Sequence, residues 1–396
     1  MKKILLCSLG SRGDMEPFLA LGQQLKKQGN AIAFCMPAQM ETLAKEVSPQ
    51  FFPQSAAFLD LVNSPSVRAI IGQVGSGWSR IKTILGLISK TRPIQEQLIL
   101  DQEAAVLAFE PDKIIFHIKC IYPLLWGIQG KGEVCLLSPI PCMVHSVTHE
   151  PHIGFGKPRA AWWNRMTYRW ATFALVHQSI LGYGKKFIKA KKMKLDAKRI
   201  HTFMQERLEV QYSISEQLFP KPNYWPSQAK ITGFLQRDNS GQFQPSEALM
   251  TFLGQHPAPL YMSFGSMVNA QPKQVGSDLL AVCEQLRQPI IINTSWGGIE
   301  LPKLLPKWVF VVEEIPYDFL FQHIKAVIHH GGSGTVHNAF EARKPQLIIP
   351  HIADQFFWSR TLVRIGAAVE GFPIKKWSQV RLKTALEALL EKTASL

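Results

Sequence analysis

The stretch AVIHHGGSGTVHNAFEA, residues 326–342, places a buried strand, a glycine-rich loop and the start of a helix directly after one another. Gly331, Gly332 and Gly334 allow a ligand to approach the backbone closely. The N–H groups that open the helix near Thr335 point at such a ligand with the positive end of the helix dipole. The pattern therefore predicts a phosphate or pyrophosphate site, and the alternative is a tight turn beside a core histidine.

The glycine spacing of this loop differs from two common nucleotide motifs. It is not GxxxxGKS, which argues against ATP chemistry of the Walker type, and it does not match the dinucleotide fingerprint GxGxxG. A phosphorylated ligand of another kind fits better.

Two further loops are expected at the same edge of the same sheet. The segment SFGSM, Ser263–Met267, follows a predicted strand over residues 260–264. In an open parallel sheet, ligands bind beyond the carboxyl ends of the strands, so we expect Ser266 to face the glycine-rich loop and to donate to a phosphate oxygen. The alternative is an ordinary strand-to-helix turn.

The other loop is PHIADQFFW, residues 350–358, which follows a predicted strand over residues 346–349. A carboxylate beside a carboxamide suits vicinal hydroxyls, because the pair can accept from two OH groups and donate to one. Asp354 and Gln355 are therefore candidates to hold a sugar, and the alternative for Asp354 is a helix cap.

The N-terminal half contains one comparable loop. GSRGDME, Gly10–Glu16, follows a short apolar run and precedes a helix with Pro17 in its first turn. Asp14 is then either an N-terminal cap of this helix, with Arg12 as a solvated charge, or a carboxylate facing an interdomain cleft that takes a proton from a hydroxyl nucleophile.

Alternating strands and helices indicate an α/β protein with two parallel-sheet domains. The strands predicted before the junction and after it cover residues 4–9, 31–36, 113–118, 133–137, 260–264, 290–293, 309–312, 326–329 and 346–349. Four prolines and the loss of helical periodicity mark residues 218–247 as the linker. We expect one domain over 1–217, a second over 248–375, and a helix over 376–396 that packs back on the first domain.

Several motifs in order resemble those of a known family. HHGGSGT, KPQLIIP and ADQFFW, preceded by SFGSM, SWGG and VFVVEEIPYDFLF, resemble the nucleotide-sugar domain of family 1 glycosyltransferases with the GT-B fold. The N-terminal GSRGDMEPFLALGQQLKKQGN resembles the sterol 3β-glucosyltransferase branch and the related antibiotic glycosyltransferases. The resemblance implies two Rossmann-like domains that face each other across a cleft, with acceptor binding in the domain over 1–217 and nucleotide-sugar binding in the domain over 248–375.

The resemblance also implies an activity, inverting transfer of a sugar from UDP-glucose, or another UDP- or dTDP-sugar, to a hydroxyl. It implies neither a metal nor a permanently bound cofactor. The residues that it places at the donor are Ser266, Trp296, His330, Gly332, Ser333, Gly334, Thr335, Asp354 and Gln355, with Ser11, Arg12 and Gly13 in a loop near the donor. Asp14 matches the proposed general base, and burial in a closed cleft would raise its pKa toward that of a useful base.

One position departs from the family pattern. Arg343 and Lys344 stand where relatives usually have a glycine that ends the helix. A left-handed cap there would be unfavourable for a residue with a side chain.

The composition indicates a basic globular protein. The 396 residues include 44 Lys and Arg against 29 Asp and Glu, a net charge of +15, and 46% are hydrophobic, which excludes disordered and fibrous classes. Six cysteines form no metal-binding spacing, and no apolar stretch is long enough to span a membrane, so we expect a cytoplasmic protein, with the inner face of a membrane as a second location.

The charge is concentrated in residues 157–207, which contain 13 Lys and Arg against two acidic residues, a net charge of +11. Trp163, Met166, Trp170 and Phe173 recur there at helical spacing. The pattern is typical of a helix on an anionic membrane surface. The alternative is an aromatic stripe that packs on the core or lines an acceptor pocket; nucleic acid is not expected, because no nucleic-acid module accompanies the charge.

The leading functional prediction is transfer to a hydrophobic hydroxyl acceptor such as a sterol, lipid or polyphenol. Two alternatives remain: a nucleotide-sugar epimerase on the same fold, and a protein that binds nucleotide sugars or anionic lipids without catalysis.

Overall fold

The computed structural model describes residues 1–63, 77–238, 243–294 and 297–394. It divides the chain into two units at Arg237 and Asp238. Each unit contains one parallel β-sheet. The predicted α/β class with two Rossmann-like parallel-sheet domains is therefore confirmed.

The N-terminal unit is built on a seven-stranded sheet with the order β3-β2-β1-β4-β5-β6-β7. Its strands are β1 (Lys3–Cys7), β2 (Ala31–Pro37), β3 (Phe51–Gln54), β4 (Lys113–Phe116), β5 (Glu133–Ser138), β6 (Glu209–Tyr212) and β7 (Ala229–Ile231). Its helices are α1 (Arg12–Lys27), α2 (Glu41–Lys45), α3 (Ala57–Asn63), α4 (Gly77–Phe109), α5 (Tyr122–Ile128), α6 (Ala161–Ala174), α7 (Lys185–Ala190) and α8 (Ala197–Glu206), with a π-helix over Leu175–Tyr183.

The central strands of this sheet are almost continuously apolar. In β1 and β2 nearly every residue is buried, as expected of parallel strands that are covered on both faces. Phe18 and Leu19 of α1 pack with them in one core. The loop that carries Asp14 is thus fixed at both ends by buried elements.

The C-terminal unit has a six-stranded sheet with the order β10-β9-β8-β11-β12-β13. Its strands are β8 (Leu260–Ser263), β9 (Ile290–Asn293), β10 (Val309–Val312), β11 (Ala326–His329), β12 (Gln346–Ile348) and β13 (Ala368–Val369). Its helices are α9 (Glu247–Gln255), α10 (Pro272–Gln285), α11 (Tyr317–His323), α12 (Ser333–Glu341), α13 (Gln355–Arg364) and α14 (Gln379–Ala394).

The structure bears on two expected boundaries. The expected linker over 218–247 contains β7, which pairs with β6, so its first part belongs to the N-terminal sheet. Leu382, Leu386 and Leu389 of α14 lie in the core of the C-terminal unit. The expected packing of residues 376–396 on the first domain stays a prediction.

The end of α12 has the conformation that its sequence disfavours. Arg343 has φ +53°, in the left-handed region, and the N–H of Lys344 donates to the carbonyl of Ala339 at 2.8 Å. This is the hydrogen bond of a Schellman cap, which usually has glycine at the left-handed position. Arg343 therefore adopts a backbone conformation that is strained for a residue with a side chain.

Candidate active site

The C-terminal sheet has one position where its strand order reverses. From β8 the chain builds outward through β9 and β10 on one side, and then returns to β11 beside β8 before continuing to β12 and β13. Open parallel sheets bind ligands in the crevice at the carboxyl ends of two such strands. The loops that follow β8 and β11 are therefore the two most favourable places for a ligand in this unit.

The loop after β11 leads directly into α12. Gly332 is the N-terminal cap residue, with φ −64° and ψ 139°, and the first hydrogen bond inside the helix runs from the N–H of Val336 to the carbonyl of Gly332. The N–H groups of the preceding first turn have no acceptor within the helix. Gly332, Ser333, Gly334 and Thr335 thus lie at the positive end of a nine-residue helix, which is suited to an anion.

His330 lies between two glycines of neighbouring loops. A side-chain carbon on Gly265, which has φ +54°, would lie 2.9 Å from its Cε1, and one on Gly332 would lie 2.5 Å from its Nε2. Burial lowers the pKa of His330 to about 4, although its interaction with the Ser263 backbone acts in the opposite direction. Near neutral pH the imidazole is therefore uncharged and can offer an N–H as a donor.

His329 fixes the shape of the same loop. Its Nδ1 accepts a hydrogen bond from the N–H of Gly331 at 3.2 Å, so the proton of the neutral ring is on Nε2, which donates to Oε1 of Gln346 at 2.9 Å. Burial, and next the neighbouring His330, lower the pKa of His329 to about 3. Sequence reasoning missed this residue, although the doubled histidine at the end of a buried strand was a visible signal.

The remaining predicted donor residues lie in three places. Ser266 is half-buried after β8, and its hydroxyl has no protein partner in the part of the chain that the structure describes. Thr335 is buried, and its hydroxyl is 2.9 Å from the hydroxyl of Tyr317, which ties the glycine-rich loop to the loop after β10. Trp296 lies outside the described residues.

Asp354 and Gln355, the pair that the sequence suggested for a sugar, lie at the start of α13. Gln355 is buried, and its carboxamide oxygen accepts from the N–H groups of His351 at 2.7 Å and Ile352 at 3.1 Å. That oxygen holds its own loop together. Asp354 is the half-buried N-terminal residue of α13, and its side chain makes no capping hydrogen bond to the helix, so the helix-cap alternative for it is not observed.

A buried histidine joins this loop to two others. His351 has Nδ1 at 2.9 Å from the carbonyl of Ile349 and Nε2 at 2.8 Å from Oδ1 of Asn269, in the loop after β8. The amide nitrogen of Asn269 in turn donates to the carbonyl of Gly298. His351 and Asn269 therefore connect the loops that follow β8, β9 and β12, and sequence reasoning had identified neither.

The N-terminal sheet reverses its strand order in the same manner, between β1 and β4. Asp14 follows β1, and His117 and Lys119 follow β4. The Nζ of Lys119 lies 3.0 Å from Oδ1 of Asp14, and Nε2 of His117 lies 3.6 Å from the same oxygen. The two loops at this crevice thus meet in a cluster of charged and titratable side chains.

The other oxygen of Asp14 caps its own helix. Oδ2 accepts from the backbone N–H of Ser11 at 2.8 Å and from the Ser11 hydroxyl at 3.2 Å. The capping role is therefore observed for Oδ2, whereas Oδ1 faces the cations and the role of Asp14 as a base stays a prediction. With 21% of its side chain exposed, Asp14 is still accessible.

The pKa of Asp14 contradicts the sequence expectation. Burial alone would raise the pKa, but the charge of Lys119, the neighbouring His117 and the hydrogen bonds outweigh it, and the pKa of Asp14 lies below its ordinary value. The carboxylate is therefore ionised throughout the neutral range. The expectation failed because Lys119 lies 105 residues away in sequence.

His117 is neutral in the same range. Its pKa is lowered to about 4, by burial first and then by the charge of Lys119, with Asp14 acting in the opposite direction. The backbone N–H of Lys119 lies 3.4 Å from Nδ1 and points to it, which leaves the proton on Nε2, toward Asp14. Sequence reasoning did not identify His117 and Lys119 as site residues. The visible signal was the tripeptide HIK, residues 117–119, directly after the buried strand β4.

The predicted donor-proximal residues are already helical. Ser11 is the N-terminal cap of α1, while Arg12 and Gly13 form its first turn instead of a loop. The Nε of Arg12 pairs with Glu16 at 3.1 Å.

The aromatic residues singled out in the basic segment lie on α6. Trp170 and Phe173 are exposed, and Trp163 and Met166 are half-buried. The alternative of a stripe packed on the core is therefore wrong for Trp170 and Phe173.

Comparisons with known proteins agree with this architecture. Residues 4–110 match the N-terminal domain of glycosyltransferase family 28, and residues 277–395 match the C-terminal domain of proteins like erythromycin biosynthesis protein CIII. The chain has the GT-B fold, and each of its halves resembles one of these two domain families. The two matches fall on either side of the division between the two units.

Solved GT-B glycosyltransferases have the same fold along the whole chain. The glycosyltransferase of kitacinnamycin is 16% identical with a TM-score of 0.67, covering 100% of this chain and 93% of that one. SsfS6 from Streptomyces sp. SF2575, in complex with thymidine diphosphate, is 15% identical with a TM-score of 0.57, covering 100% and 96%. At these identities the likeness shows the fold.

Among curated relatives, the sterol 3-beta-glucosyltransferase UGT80B1 of Arabidopsis thaliana is 26% identical over 98% of this chain. The chain spans 63% of the length of that relative and 61% of the related UGT80A2.

Proposed function

We propose that this GT-B protein is an inverting glycosyltransferase that moves a sugar, with glucose as the expected one, from a UDP-sugar to a hydroxyl of a hydrophobic acceptor. The observation that carries the proposal is the loop of residues 330–335, where a neutral, half-buried histidine meets the positive end of α12 at the reversal point of the C-terminal sheet. That environment suits the diphosphate of a nucleotide sugar.

The donor loop would stabilise the leaving group. As the bond to the sugar breaks, negative charge grows on the diphosphate, and N–H donors that are already oriented stabilise it without reorganising. His330 would contribute one such donor and α12 would contribute the helix end. Ser266, with its unpartnered hydroxyl, would donate to a phosphate oxygen.

Asp14 would accept the proton of the acceptor hydroxyl as its oxygen attacks the anomeric carbon from the face opposite the diphosphate. The low pKa keeps Asp14 ionised and ready, although a carboxylate of low pKa is a weak base. We expect the acceptor to displace the Lys119 amine from Oδ1. Lys119 can move because 40% of its side chain is exposed.

The acceptor is proposed to be sterol-like or lipid-like. The relatives UGT80B1 and UGT80A2 are sterol 3-beta-glucosyltransferases, which supports this choice, and the exposed aromatic side chains of α6 point to an apolar environment. An acceptor of this kind resides in membranes, which makes an anionic membrane surface the proposed partner. The inner face of a membrane is then the proposed location; within the described residues no helix is long and apolar enough to cross a bilayer.

The test is mass spectrometry of reactions that combine UDP-glucose or dTDP-glucose with a sterol, a flavonoid and a macrolide. The proposal predicts a glycosylated product with UDP-glucose and the sterol. Consumption of donor without acceptor would instead favour an epimerase, and the absence of product with every pair would contradict the proposal.

A further inference from the structure

Helix α6 buries two polar side chains and exposes three aromatic ones, although it also buries Tyr168. Its buried residues are Asn164, Thr167 and Tyr168. Its exposed side carries Trp162, with 67% of the residue exposed, Trp170 with 43% and Phe173 with 61%. A helix on the surface of a globular protein normally turns its apolar side inward, so some other factor holds α6 in this orientation.

Hydrogen bonds to the preceding loop hold α6 in this orientation. The Asn164 amide donates to the carbonyl of Thr148 at 3.0 Å and accepts from the N–H of Arg159 at 3.0 Å. The hydroxyl of Thr167 accepts from the N–H of His152 at 2.9 Å. These bonds to the loop before α6 satisfy its buried polar groups, and turning the helix over would leave them without partners.

The outward aromatic rings form one continuous patch. Trp162 and Trp163 have ring centroids 5.9 Å apart, Trp163 and Trp170 5.4 Å, and Phe155 and Trp170 5.9 Å. Single exposed apolar residues need no explanation, but a contiguous patch usually marks an interaction surface.

Positive charge accompanies these rings. Arg165 and Arg169 are exposed on α6, and neither has an ionic partner in the described part of the chain. The guanidinium of Arg159 lies over the Trp163 ring at 5.0 Å. Residues 151–195 contain ten Lys and Arg and no Asp or Glu.

Not all of this charge is available to a partner. Lys186 pairs with Glu96 at 2.7 Å and Lys191 with Glu103 at 2.9 Å, both on α4. The charge that lacks an internal partner includes the arginines beside the rings. Tryptophan with arginine is the combination favoured at the boundary between lipid headgroups and acyl chains, where the rings enter the interface and the guanidinium groups meet anionic headgroups.

We propose that the docking face of α6, made of Trp162, Trp170 and Phe173 with Arg165 and Arg169, binds the surface of a bilayer that contains anionic lipids. The docking requires no sugar transfer. The proposal rests on the proposed function in one respect, because docking gives the enzyme access to an acceptor that stays in the membrane.

The experiment is flotation of the full chain with vesicles of phosphatidylcholine, with and without about one third phosphatidylglycerol, at low and at high salt. We expect binding to the anionic vesicles at low salt, weaker binding at high salt, and little binding to phosphatidylcholine alone. The combined variant Trp162→Ser, Trp170→Ser, Phe173→Ser should bind at least about tenfold more weakly, because the rings no longer enter the interface.

Two further variants separate the docking face from general positive charge. Arg165→Gln with Arg169→Gln should weaken binding about 30-fold, from roughly 1 kcal/mol for each basic residue near the surface. Lys192→Gln with Lys194→Gln removes the same charge from exposed residues at a basic pocket lined also by Arg199, and should change binding by less than about twofold. Thermal unfolding checks that each variant is folded.

Three results would overturn the proposal. The first is failure of the unaltered chain to bind anionic vesicles. The second is an equal loss of binding in the lysine control, which would make the attraction diffuse. The third is self-association that the ring variant abolishes while vesicle binding is unchanged, which would assign the face to a second copy of the chain. None of these measurements uses donor or acceptor. Docking can therefore fail while sugar transfer is detected, and sugar transfer can be absent while docking is detected.

Discussion

The two sheets carry opposite chemistry at the same topological position. Where the N-terminal sheet reverses its strand order, Asp14 is held ionised beside Lys119 and His117. Where the C-terminal sheet reverses, His330 and the start of α12 offer N–H groups without a charged side chain in the loop of residues 330–335. The first arrangement preserves a negative charge, whereas the second is suited to receiving one.

The largest effect on the turnover number should come from removing the charge of the Asp14 carboxylate. Asp14→Asn keeps an oxygen for the bond from Ser11 but cannot accept a proton, and general base catalysis typically contributes about 10²–10⁴-fold. We expect the turnover number to fall by that factor. Ser11→Ala is the matched control, because it removes only a capping bond. Nearly normal turnover by the asparagine variant would remove Asp14 from the proposed mechanism.

The next effect is on stability, because burial holds histidines of both units neutral. The pKa values of His117, His145, His152, His330 and His337 are lowered to about 4, and that of His329 to about 3. In the unfolded chain these groups take up protons near pH 6.5, before the folded chain does. The free energy of unfolding should therefore fall as pH drops from about 6.5 to 4, by up to about 1.4 kcal/mol per pH unit for each histidine.

Urea unfolding at several pH values measures this dependence. His337→Gln removes one such group from the C-terminal unit and should make the decline less steep. Stability that stays constant from pH 6.5 to 4 would show that these rings are protonated in the folded protein.

A smaller effect, on the pH profile of kcat/KM, should follow from removing the Lys119 amine that pairs with Asp14. Lys119→Met removes the charge that lowers the pKa of Asp14, so that pKa should rise. The acid limb of the pH profile of kcat/KM should then move to higher pH, while the rate at neutral pH is largely kept. Lys131→Met is the matched control, because it removes an exposed lysine from the same unit and should leave the profile unchanged. An unshifted acid limb in the Lys119 variant would mean that the ion pair does not set the basicity of Asp14.

The smallest effect concerns the end of α12. Arg343→Gly replaces a residue with φ +53° and should raise the free energy of unfolding by about 0.5–1 kcal/mol, since glycine adopts this conformation without strain. Equilibrium unfolding measures it, with Arg364→Gly, in the last turn of α13, as a control that should destabilise. Destabilisation by Arg343→Gly would show that the arginine side chain contributes more than its backbone costs.

The sequence predicted the C-terminal site better than the N-terminal one, for a physical reason. Strand, loop and helix are contiguous over residues 326–342, so local patterns place His330 and α12 together. Lys119 reaches Asp14 only because β4 pairs with β1, and strand order cannot be read from local periodicity. The hydrogen bonds that the amide oxygen of Gln355 accepts from its own loop were likewise not predicted from the sequence.

The basic and aromatic helix of the N-terminal half shows the same limit of prediction from local sequence. The sequence indicated an aromatic and basic helix but left open which side faces outward. Asn164 and Thr167 decide this, because their hydrogen bonds to the preceding loop fix the polar side inward. Buried polar contacts of this kind become visible only in three dimensions.

Proton transfer is assigned to the reversal point of the N-terminal sheet, and diphosphate binding to that of the C-terminal sheet. Calorimetric titration of UDP into the unaltered chain, Asp14→Asn and His330→Ala tests this assignment most directly. The account predicts that Asp14→Asn binds UDP as tightly as the unaltered chain and that His330→Ala binds it about tenfold more weakly, from the loss of one hydrogen bond to a charged group. Equal weakening in both variants, or full affinity in His330→Ala, would contradict it.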